Sequence, residues 1–276
     1  MECVNRSYMA DRQAYRSVFI SDIHIGAVGS QSDEALRFLE SFECEYLYLV
    51  GDIIDGWVGR KDRKWGPQAT GIIREILAHG NRGAVVRYTP GNHDAFMRRI
   101  HGVQLGNLDI EPSFLHETVD GKDLLVVHGD IFDRSCTKYQ PLAFVGAWAY
   151  EVLGMANASL NKKRSRDGKG PIDFTTVTKK GIKKFIGKAT HYESLVGNYA
   201  REAGFDGVVC GHVHRPQIVT EEDGFVYVNT GDFVENCTAV VEHFDGRLEL
   251  LRMGPEKIER GSNWEALKRL AAGSTK

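Results

Sequence analysis

The chain has 276 residues, of which 42% are hydrophobic and 26% are charged, a composition typical of a globular protein. Its formal net charge of −2 gives no signal of a strongly basic nucleic-acid binder. The five cysteines are scattered and lack a C-x-x-C spacing, which argues against a disulfide framework or a structural zinc site and favours a reducing cytosol. The first sixteen residues carry no apolar stretch of a secretory signal, so we expect a cytoplasmic protein.

Apolar runs and amphipathic stretches alternate along the first half of the chain. Continuous apolar runs predict strands that are buried on both faces, and apolar residues at helical spacing predict crossover helices between them. This order is typical of an open α/β sheet, whose polar sites lie at the carboxyl ends of the strands. The predicted strands are residues 17–20, 46–50 and 84–88, and the predicted helices are residues 31–42 and 67–78.

A short polar motif follows each of five apolar runs. Each motif offers carboxylate, imidazole or amide groups, which are ligands that divalent manganese, iron, zinc or cobalt accept. Any one motif alone is also consistent with a polar strand end or a turn, but five in succession predict a metal site. The motifs are Asp22-Ile23-His24, Gly51-Asp52-Ile53-Ile54-Asp55, Gly91-Asn92-His93-Asp94, His128-Gly129-Asp130 and Gly211-His212-Val213-His214.

Residues 133–203 interrupt this pattern, because strand signals disappear and helical spacing dominates. We predict an inserted helical lid within a single domain of residues 1–276. The lid begins with an apolar stripe over residues 142–155, which either lines a channel for acyl chains or forms a small core of its own. Between residues 162 and 188 it carries ten basic and two acidic residues, which suits an anionic partner or a solvated helical face. Strand signals return from residue 207 onward.

Taken in order, the five motifs resemble the signature blocks of the calcineurin-like metallophosphoesterases, which are D-x-H, G-D, G-N-H-D, H and G-H-x-H. The resemblance covers roughly residues 18–241. It implies an α/β fold, a four-layer sandwich of two mixed β-sheets flanked by helices. It also implies a hydrolase with two divalent ions, manganese before iron, zinc or cobalt. By position, the implied ligands are Asp22, His24 and His214 for one ion, Asn92, His128 and His212 for the other, and Asp52 as the bridge between them.

The resemblance also implies roles for the residues that follow Asn92. In the family the histidine at this position contacts the phosphoryl oxygen and protonates the leaving group, and His93 occupies the position here. Asp94 is expected to orient this imidazole and keep it charged. Asp55 is expected either to cap a turn or to support a metal ligand. The remaining histidines are interpreted as surface or packing residues: His79, His101, His116, His191 and His243.

Within the family, the block over residues 48–57 resembles that of the UDP-2,3-diacylglucosamine diphosphatases of lipid A synthesis. That group carries a lid where this chain has its helical insertion. The likeness implies attack at the α-phosphorus, which releases UMP and an acylated glucosamine phosphate. It implies a phosphorylated small-molecule or lipid substrate, and contact of residues 141–188 with the inner face of the cell membrane. The residues expected to bind the substrate are Trp57, Trp148, Lys179 and Lys183.

Three positions depart from the best-known branch of that group. It has arginine where this chain has His93 and histidine where this chain has Cys210, and it is acid-rich where residues 58–61 stand here. A broader phosphodiesterase that acts on cyclic nucleotides or nucleic-acid ends therefore stays as an alternative. A non-catalytic scaffold with the same fold is a minor alternative, because such a protein is expected to have lost ligands. No sequence feature indicates an oligomeric state.

Overall fold

Strand β1 (Gln13–Ile20), helix α1 (Ser32–Glu40) and strand β2 (Phe42–Leu49) form the first crossover unit. They belong to the computed structural model of the protein, which describes residues 12–57, 65–133 and 192–253. Helix α2 (Pro67–Asn81) then leads to β3 (Val85–Tyr88), and β1, β2 and β3 pair in parallel. The predicted strand and helix order is confirmed, although β2 begins four residues earlier than predicted and α2 ends three residues later.

The larger sheet has seven strands in the order β12-β11-β1-β2-β3-β5-β4. Its inner strands are parallel, while β4, β11 and β12 each pair antiparallel with a neighbour. Such a mixed sheet is common where an α/β unit carries antiparallel strands at its edges. The strands not yet given are β4 (Gln104–Leu105), β5 (Leu108–Ile110), β11 (Thr238–Glu242) and β12 (Leu248–Arg252).

The smaller sheet has five strands in the order β6-β7-β8-β10-β9. Strands β7, β8 and β10 are parallel, and β6 and β9 close the two edges in antiparallel pairs. This sheet is also mixed, so both sheets agree with the predicted architecture. Its strands are β6 (Phe114–Glu117), β7 (Asp123–Val126), β8 (Gly207–Cys210), β9 (Gln217–Thr220) and β10 (Val226–Asn229). Two 3₁₀ helices, Ala95–Ile100 and Asp130–Phe132, lie in the connections.

Side chains of β1 alternate between two apolar cores, because successive residues of a strand point to opposite faces. Val18 and Ile20 pack with α1 and α2, while Phe19 packs between the sheets. On the outer face of the smaller sheet, the Arg201 guanidinium of the helical residues 195–202 lies 3.8 Å from the centre of the Phe225 ring. The layers are therefore helix, sheet, sheet and helix, and the predicted α/β sandwich is confirmed.

Glu242 of β11 places a fully buried carboxylate between the two sheets. From the larger sheet it accepts hydrogen bonds from Arg16 Nη1 and Ser17 Oγ, both at 2.7 Å. From the smaller sheet His116 Nε2 lies at 2.9 Å, and the backbone N–H of Val119 donates at 2.9 Å. Burial opposes ionisation, but the hydrogen bonds from His116, Ser17 and Val119 lower the pKa of Glu242 to about 2. The ionised carboxylate thereby connects both sheets through buried hydrogen bonds.

The predicted lid, residues 133–203, falls almost wholly outside the described residues and stays a prediction. Of its length, residues 192–202 are helical in the described part of the chain. Three residues expected to bind the substrate, Trp148, Lys179 and Lys183, also lie outside the described residues. Among the helices that the structure describes, none has the length and apolar character needed to span a membrane.

Candidate metal centre

The carboxyl ends of β1, β2, β3, β7 and β8 carry the five motifs, and the motifs meet at one edge of the sandwich. Three groups of carboxylate and imidazole atoms form there, with the atoms of each group within 4.8 Å of one another. Six of the seven predicted ligands belong to these groups. The groups are Asp22, His24 and His214; Asp52, His128 and His212; and His24, Asp52 and His93.

Five of the predicted ligands have a left-handed backbone that non-glycine residues rarely adopt. Their φ angles lie between 50° and 69°. Each such residue costs roughly 1–3 kcal/mol, and this strain persists where surrounding contacts fix the conformation, as at functional sites. Here backbone hydrogen bonds hold the turns, for example from the Asp22 N–H to Gly51 O at 3.0 Å. The strained residues are Asp22, His24, Asp52, His212 and His214.

The glycines of the motifs make room for ligands that come from other strands. A Cβ atom at Gly51 would lie 2.3 Å from His128 Nδ1, and one at Gly91 would lie 2.2 Å from Asp52 Oδ1. At Gly211 the same atom would lie 2.5 Å from an oxygen of Asp22. Side chains at these positions would displace the ligand groups, so the close approach explains the glycines of these three motifs.

The first group is centred on Asp22, which is fully buried. Its Oδ1 lies 3.1 Å from His214 Nε2, and its Oδ2 accepts from the His212 N–H at 3.1 Å and from Ser21 Oγ. Burial disfavours the charged carboxylate, but the neighbouring His214 and His24 imidazoles hold the pKa of Asp22 well below its ordinary value. Conversely, burial would lower the pKa of His214, and Asp22 raises it to about 9.

The second group is centred on Asp52. Its Oδ1 accepts from the His93 N–H at 2.7 Å, and its Oδ2 lies 3.3 Å from His128 Nε2. His128 directs Nδ1 to the carbonyl oxygen of Val50 at 2.8 Å, which places the proton on Nδ1 and turns Nε2 toward Asp52. Burial opposes both charges, yet the pair lowers the pKa of Asp52 and raises that of His128 to about 10.

Buried polar atoms at the centre test whether the residues fit metal ions. Asn92 Oδ1 and both ring nitrogens of His24 are buried and form no hydrogen bond with the described residues. A buried acceptor without a partner costs about 1–3 kcal/mol, and an ion would satisfy it. His24 Nε2 lies 3.8 Å from Asp22 Oδ1 and 3.9 Å from Asp52 Oδ2. Ligands bound at about 2.1 Å to one ion lie roughly 3–4 Å apart, so the spacing fits divalent ions.

The structure corrects the expected role of Asp94. Its Oδ1 accepts from the Gly91 N–H at 2.6 Å, and its Oδ2 accepts from the Ile53 N–H at 2.7 Å and from Tyr88 Oη. These bonds direct the carboxylate into the protein, where burial and the charge of Asp52 raise its pKa. Asp94 therefore fixes the loop and does not orient His93.

Asp55 is the carboxylate that meets His93. Its Oδ1 lies 3.3 Å from His93 Nδ1, and its Oδ2 lies 3.8 Å from His24 Nδ1. Burial alone would raise the pKa of Asp55, but the opposite effect of the His93 imidazole and the other neighbouring groups outweighs it, so the pKa is lowered overall. This position agrees with the role expected of Asp55 as support for a metal ligand. Asp55 also caps the turn that follows it, since its Oδ1 accepts from the backbone N–H of Trp57 at 2.8 Å. His93 remains a predicted acid, and its place in the third group also brings it within reach of an ion.

Sequence reasoning missed two contacts around the centre. Arg98 Nη2 donates to both oxygens of Asp130, at 2.7 and 2.8 Å, and to Pro90 O at 3.1 Å. This ion pair connects the segments after β3 and β7. The only sequence feature that could have indicated it is Asp130 itself, which belongs to the His128-Gly129-Asp130 motif. Asp133 Oδ2 lies 3.4 Å from His212 Nε2, and no spacing in the sequence indicated this contact.

The outlying histidines have packing or surface roles where they are described. His79 Nε2 lies 2.9 Å from Leu39 O, and His116 belongs to the network around Glu242. His243 meets Glu249 at 2.8 Å on the larger sheet, and His101 is exposed. None of these four belongs to the metal groups of the described residues, in agreement with the prediction.

Converging carboxylates and imidazoles at the strand ends of an α/β sandwich define a metal-dependent hydrolase. The sequence profile of the calcineurin-like phosphoesterases matches residues 15–216, and the chain belongs to this family. A Neisseria gonorrhoeae protein named UDP-2,3-diacylglucosamine hydrolase is 26% identical over 246 residues, which cover 83% of this chain and 94% of that protein. A protein of the same name from Xanthomonas campestris pv. campestris is 25% identical over 254 residues, 83% of this chain and 96% of its own.

Two solved structures that align with the chain are more distant in sequence. A dimetal phosphatase from Danio rerio aligns with 12% identity and a TM-score of 0.44, over 87% of this chain and 96% of its own. A Vps29 from Entamoeba histolytica, crystallised with zinc, aligns with 12% identity and a TM-score of 0.37, over 86% of this chain and 97% of its own.

Proposed function

We propose that this hydrolase cleaves the diphosphate of UDP-2,3-diacylglucosamine and releases UMP and an acylated glucosamine phosphate. The observation that carries the proposal is the intact set of converging ligands in a chain whose relatives, similar over 83% of its length, bear the name of that hydrolase. The block over residues 48–57, which resembles that of the diacylglucosamine enzymes, supports it further.

Seven residues would hold two divalent ions at this centre. When bound, such ions lower the pKa of the attacking water and neutralise charge on the phosphoryl oxygens. Asp52 belongs to one group with His128 and His212 and to another with His24, so it is the candidate bridge. Asn92 supplies a buried amide oxygen on the same loop as His93. Manganese is our first choice among manganese, iron, zinc and cobalt, all of which accept this mixture of carboxylate, amide and imidazole donors.

His93 is the proposed proton donor to the leaving group. The Asp55 carboxylate lies 3.3 Å from Nδ1, and we assign the proton transfer to the other ring nitrogen, Nε2. In the hydrolysis, water forms a bond to the α-phosphorus while the bond to the bridging oxygen breaks. The electron pair stays with the acylated sugar phosphate, which is a good leaving group and needs little protonation. Loss of His93 is therefore expected to slow poor leaving groups most.

The location and the substrate contacts belong to the same proposal. We place the protein in the cytoplasm, with peripheral contact of residues 141–188 at the inner face of the cell membrane. The excess of basic residues between 162 and 188 supports this, because anionic lipids attract such segments. Trp148, Lys179 and Lys183 stay the predicted substrate contacts, and the fourth, Trp57, stacks on the His93 ring with ring centres 3.8 Å apart.

The second candidate is a phosphodiesterase of broader specificity that acts on cyclic nucleotides or other soluble phosphoesters. The observation that favours it is His93, which stands where the best-known diacylglucosamine enzymes carry arginine. A proton donor at this position suits esters whose leaving groups are poor. The scaffold alternative is disfavoured by the complete ligand set.

A parallel assay separates the two candidates. The manganese-supplemented protein is incubated with UDP-2,3-diacylglucosamine, bis-p-nitrophenyl phosphate and cyclic AMP, and the Asp52→Asn variant serves as the control. We expect UMP release from the first substrate that depends on Asp52. Turnover of the other two substrates alone would reject the lipid substrate, and no turnover of any substrate would reject the hydrolase.

A further inference from the structure

The indole of Trp57 lies flat against the imidazole of His93. The ring centres are 3.8 Å apart, and the planes differ by 22°. His24 meets the same imidazole edge to face, with centres 4.4 Å apart and planes at 88°, and Asp55 Oδ1 lies 3.3 Å from its Nδ1. The His93 ring is therefore bounded on one face by Trp57, on another side by His24, and at one nitrogen by Asp55.

Trp57 also holds the backbone that carries His93. Its Nε1–H donates to Asn92 O at 3.0 Å, and the N–H of Gly56 donates to His93 O at 2.9 Å. A Cβ atom at Gly56 would lie 2.5 Å from His93 O, so the two loops are in tight contact. The backbone N–H of Trp57 donates at 2.8 Å to the Asp55 oxygen that faces His93. One tryptophan thus contacts the ring of the acid, the carbonyl before it and the carboxylate beside it.

We propose that Trp57 is a positioning residue that holds the His93 imidazole in the geometry from which it protonates the leaving group. The inference rests on the proposed function, in which His93 is that donor. A proton donor must stay within hydrogen-bond distance of the leaving oxygen, and a displacement of about 1 Å can cost roughly 100-fold in rate. The indole is suited to this because a rigid ring fixes the imidazole plane without taking part in the reaction.

The test compares Trp57→Leu, which removes both the ring face and the N–H, with Trp57→Phe, which keeps a ring. The matched control is Trp65→Leu, since Trp65 is a tryptophan of the same region whose side chain is 46% exposed. Each variant is assayed with manganese on bis-p-nitrophenyl phosphate and on diphenyl phosphate, which differ in leaving group. Metal content is measured by atomic absorption, and each variant is also combined with His93→Ala.

We expect kcat of Trp57→Leu on diphenyl phosphate to fall about 10- to 100-fold. Its kcat on bis-p-nitrophenyl phosphate, its KM values and its metal content should stay within about threefold, because general acid catalysis matters least for a good leaving group. Trp57→Phe should recover most of the loss, and Trp65→Leu should match the wild type. In the His93→Ala background, removal of Trp57 should cause no additional loss on either diester.

Equal losses on both diesters, a change in KM alone, loss of metal, or an additional loss in the His93→Ala background would each overturn the positioning role. These outcomes differ from failure of the proposed function. A wild-type protein that hydrolyses none of the substrates contradicts the function itself. If His93→Ala loses activity mainly on the poor leaving group but Trp57→Leu does not, only the role of Trp57 is contradicted.

Discussion

Replacement of Glu242 by glutamine tests how the two sheets are held together. The carboxylate is fully buried and accepts hydrogen bonds from both sheets, including Arg16 at 2.7 Å. A carboxyl whose pKa falls from 4.5 to about 2 is stabilised in its ionised form by about 3 kcal/mol. Removal of the charge also leaves Arg16 without its partner, and the loss of one member of a buried ion pair costs roughly 3–5 kcal/mol. We expect Glu242→Gln to lose about 3 kcal/mol of unfolding free energy at pH 7.

The pH dependence separates charge from packing in this variant. The pKa of Glu242 is lower in the folded protein than in the unfolded chain, so the stabilisation is complete above the unfolded pKa of 4.5. It is lost as the pH falls through that value toward about 2, where the folded carboxyl becomes protonated. The difference between wild type and variant should therefore be largest at neutral pH and shrink steadily below pH 4.5.

Urea unfolding followed by circular dichroism measures both quantities, because urea leaves ionic strength unchanged. Glu117→Gln is the matched control, since this residue is exposed at the end of β6. The control should unfold at the urea concentration of the wild type. A Glu242→Gln protein as stable as the wild type at pH 7 would refute the buried ion network. An equal loss at pH 7 and pH 3 would assign the effect to packing.

Three further predictions concern the metal centre. His93→Ala should keep both metals and lose at least about 100-fold against diphenyl phosphate but far less against bis-p-nitrophenyl phosphate, and equal losses would reject the acid role. Gly91→Ala should lose metal and activity, because the new Cβ would lie 2.2 Å from a ligand carboxylate oxygen. Gly80→Ala, whose new Cβ would lie 3.5 Å from its nearest neighbour, should keep its metal, and equal metal content in the two variants would contradict this steric explanation. The pKa values of about 10 for His128 and about 9 for His214 mean that ions must displace protons at pH 7. Calorimetry in buffers of different ionisation enthalpy should show proton release and tighter binding as the pH rises toward 9, and binding without proton release would contradict these values.

The candidate metal ligands could be predicted from sequence because their chemistry and their positions at strand ends are both local features. A buried parallel strand appears as an apolar run, and the polar residues at its end lie at the sheet edge wherever that strand goes. Asp22, Asp52 and His128 each follow such a run, and the structure brings them into neighbouring groups. The apolar runs predicted an α/β sheet, and the four-layer sandwich was predicted from the resemblance of the five motifs to the calcineurin-like phosphoesterases.

Other features depend on contacts that no local pattern contains. The sequence placed Asp94 beside His93 because the two are neighbours in the chain. After the left-handed backbone at Asp52, the chain brings Asp55 to the His93 imidazole. The Asp94 carboxylate instead points into the protein and accepts hydrogen bonds from backbone N–H groups. Sequence spacing could not distinguish the two carboxylates.

Tertiary contacts also set the start of β2 and the network around Glu242. Phe42 pairs with Gln13 and packs on Phe38 with ring centres 4.9 Å apart, so the strand begins there and not at residue 46. Arg16 and Glu242 are separated by 226 positions in the chain, and only the fold brings them together.

Hydrolysis in water labelled with ¹⁸O tests the central claim most directly. The manganese-loaded protein is incubated with UDP-2,3-diacylglucosamine, and the two products are analysed by mass spectrometry. Attack of water at the α-phosphorus predicts one labelled oxygen in UMP and none in the acylated glucosamine phosphate. Label in the sugar phosphate, or no cleavage by the metal-loaded protein, would contradict the account.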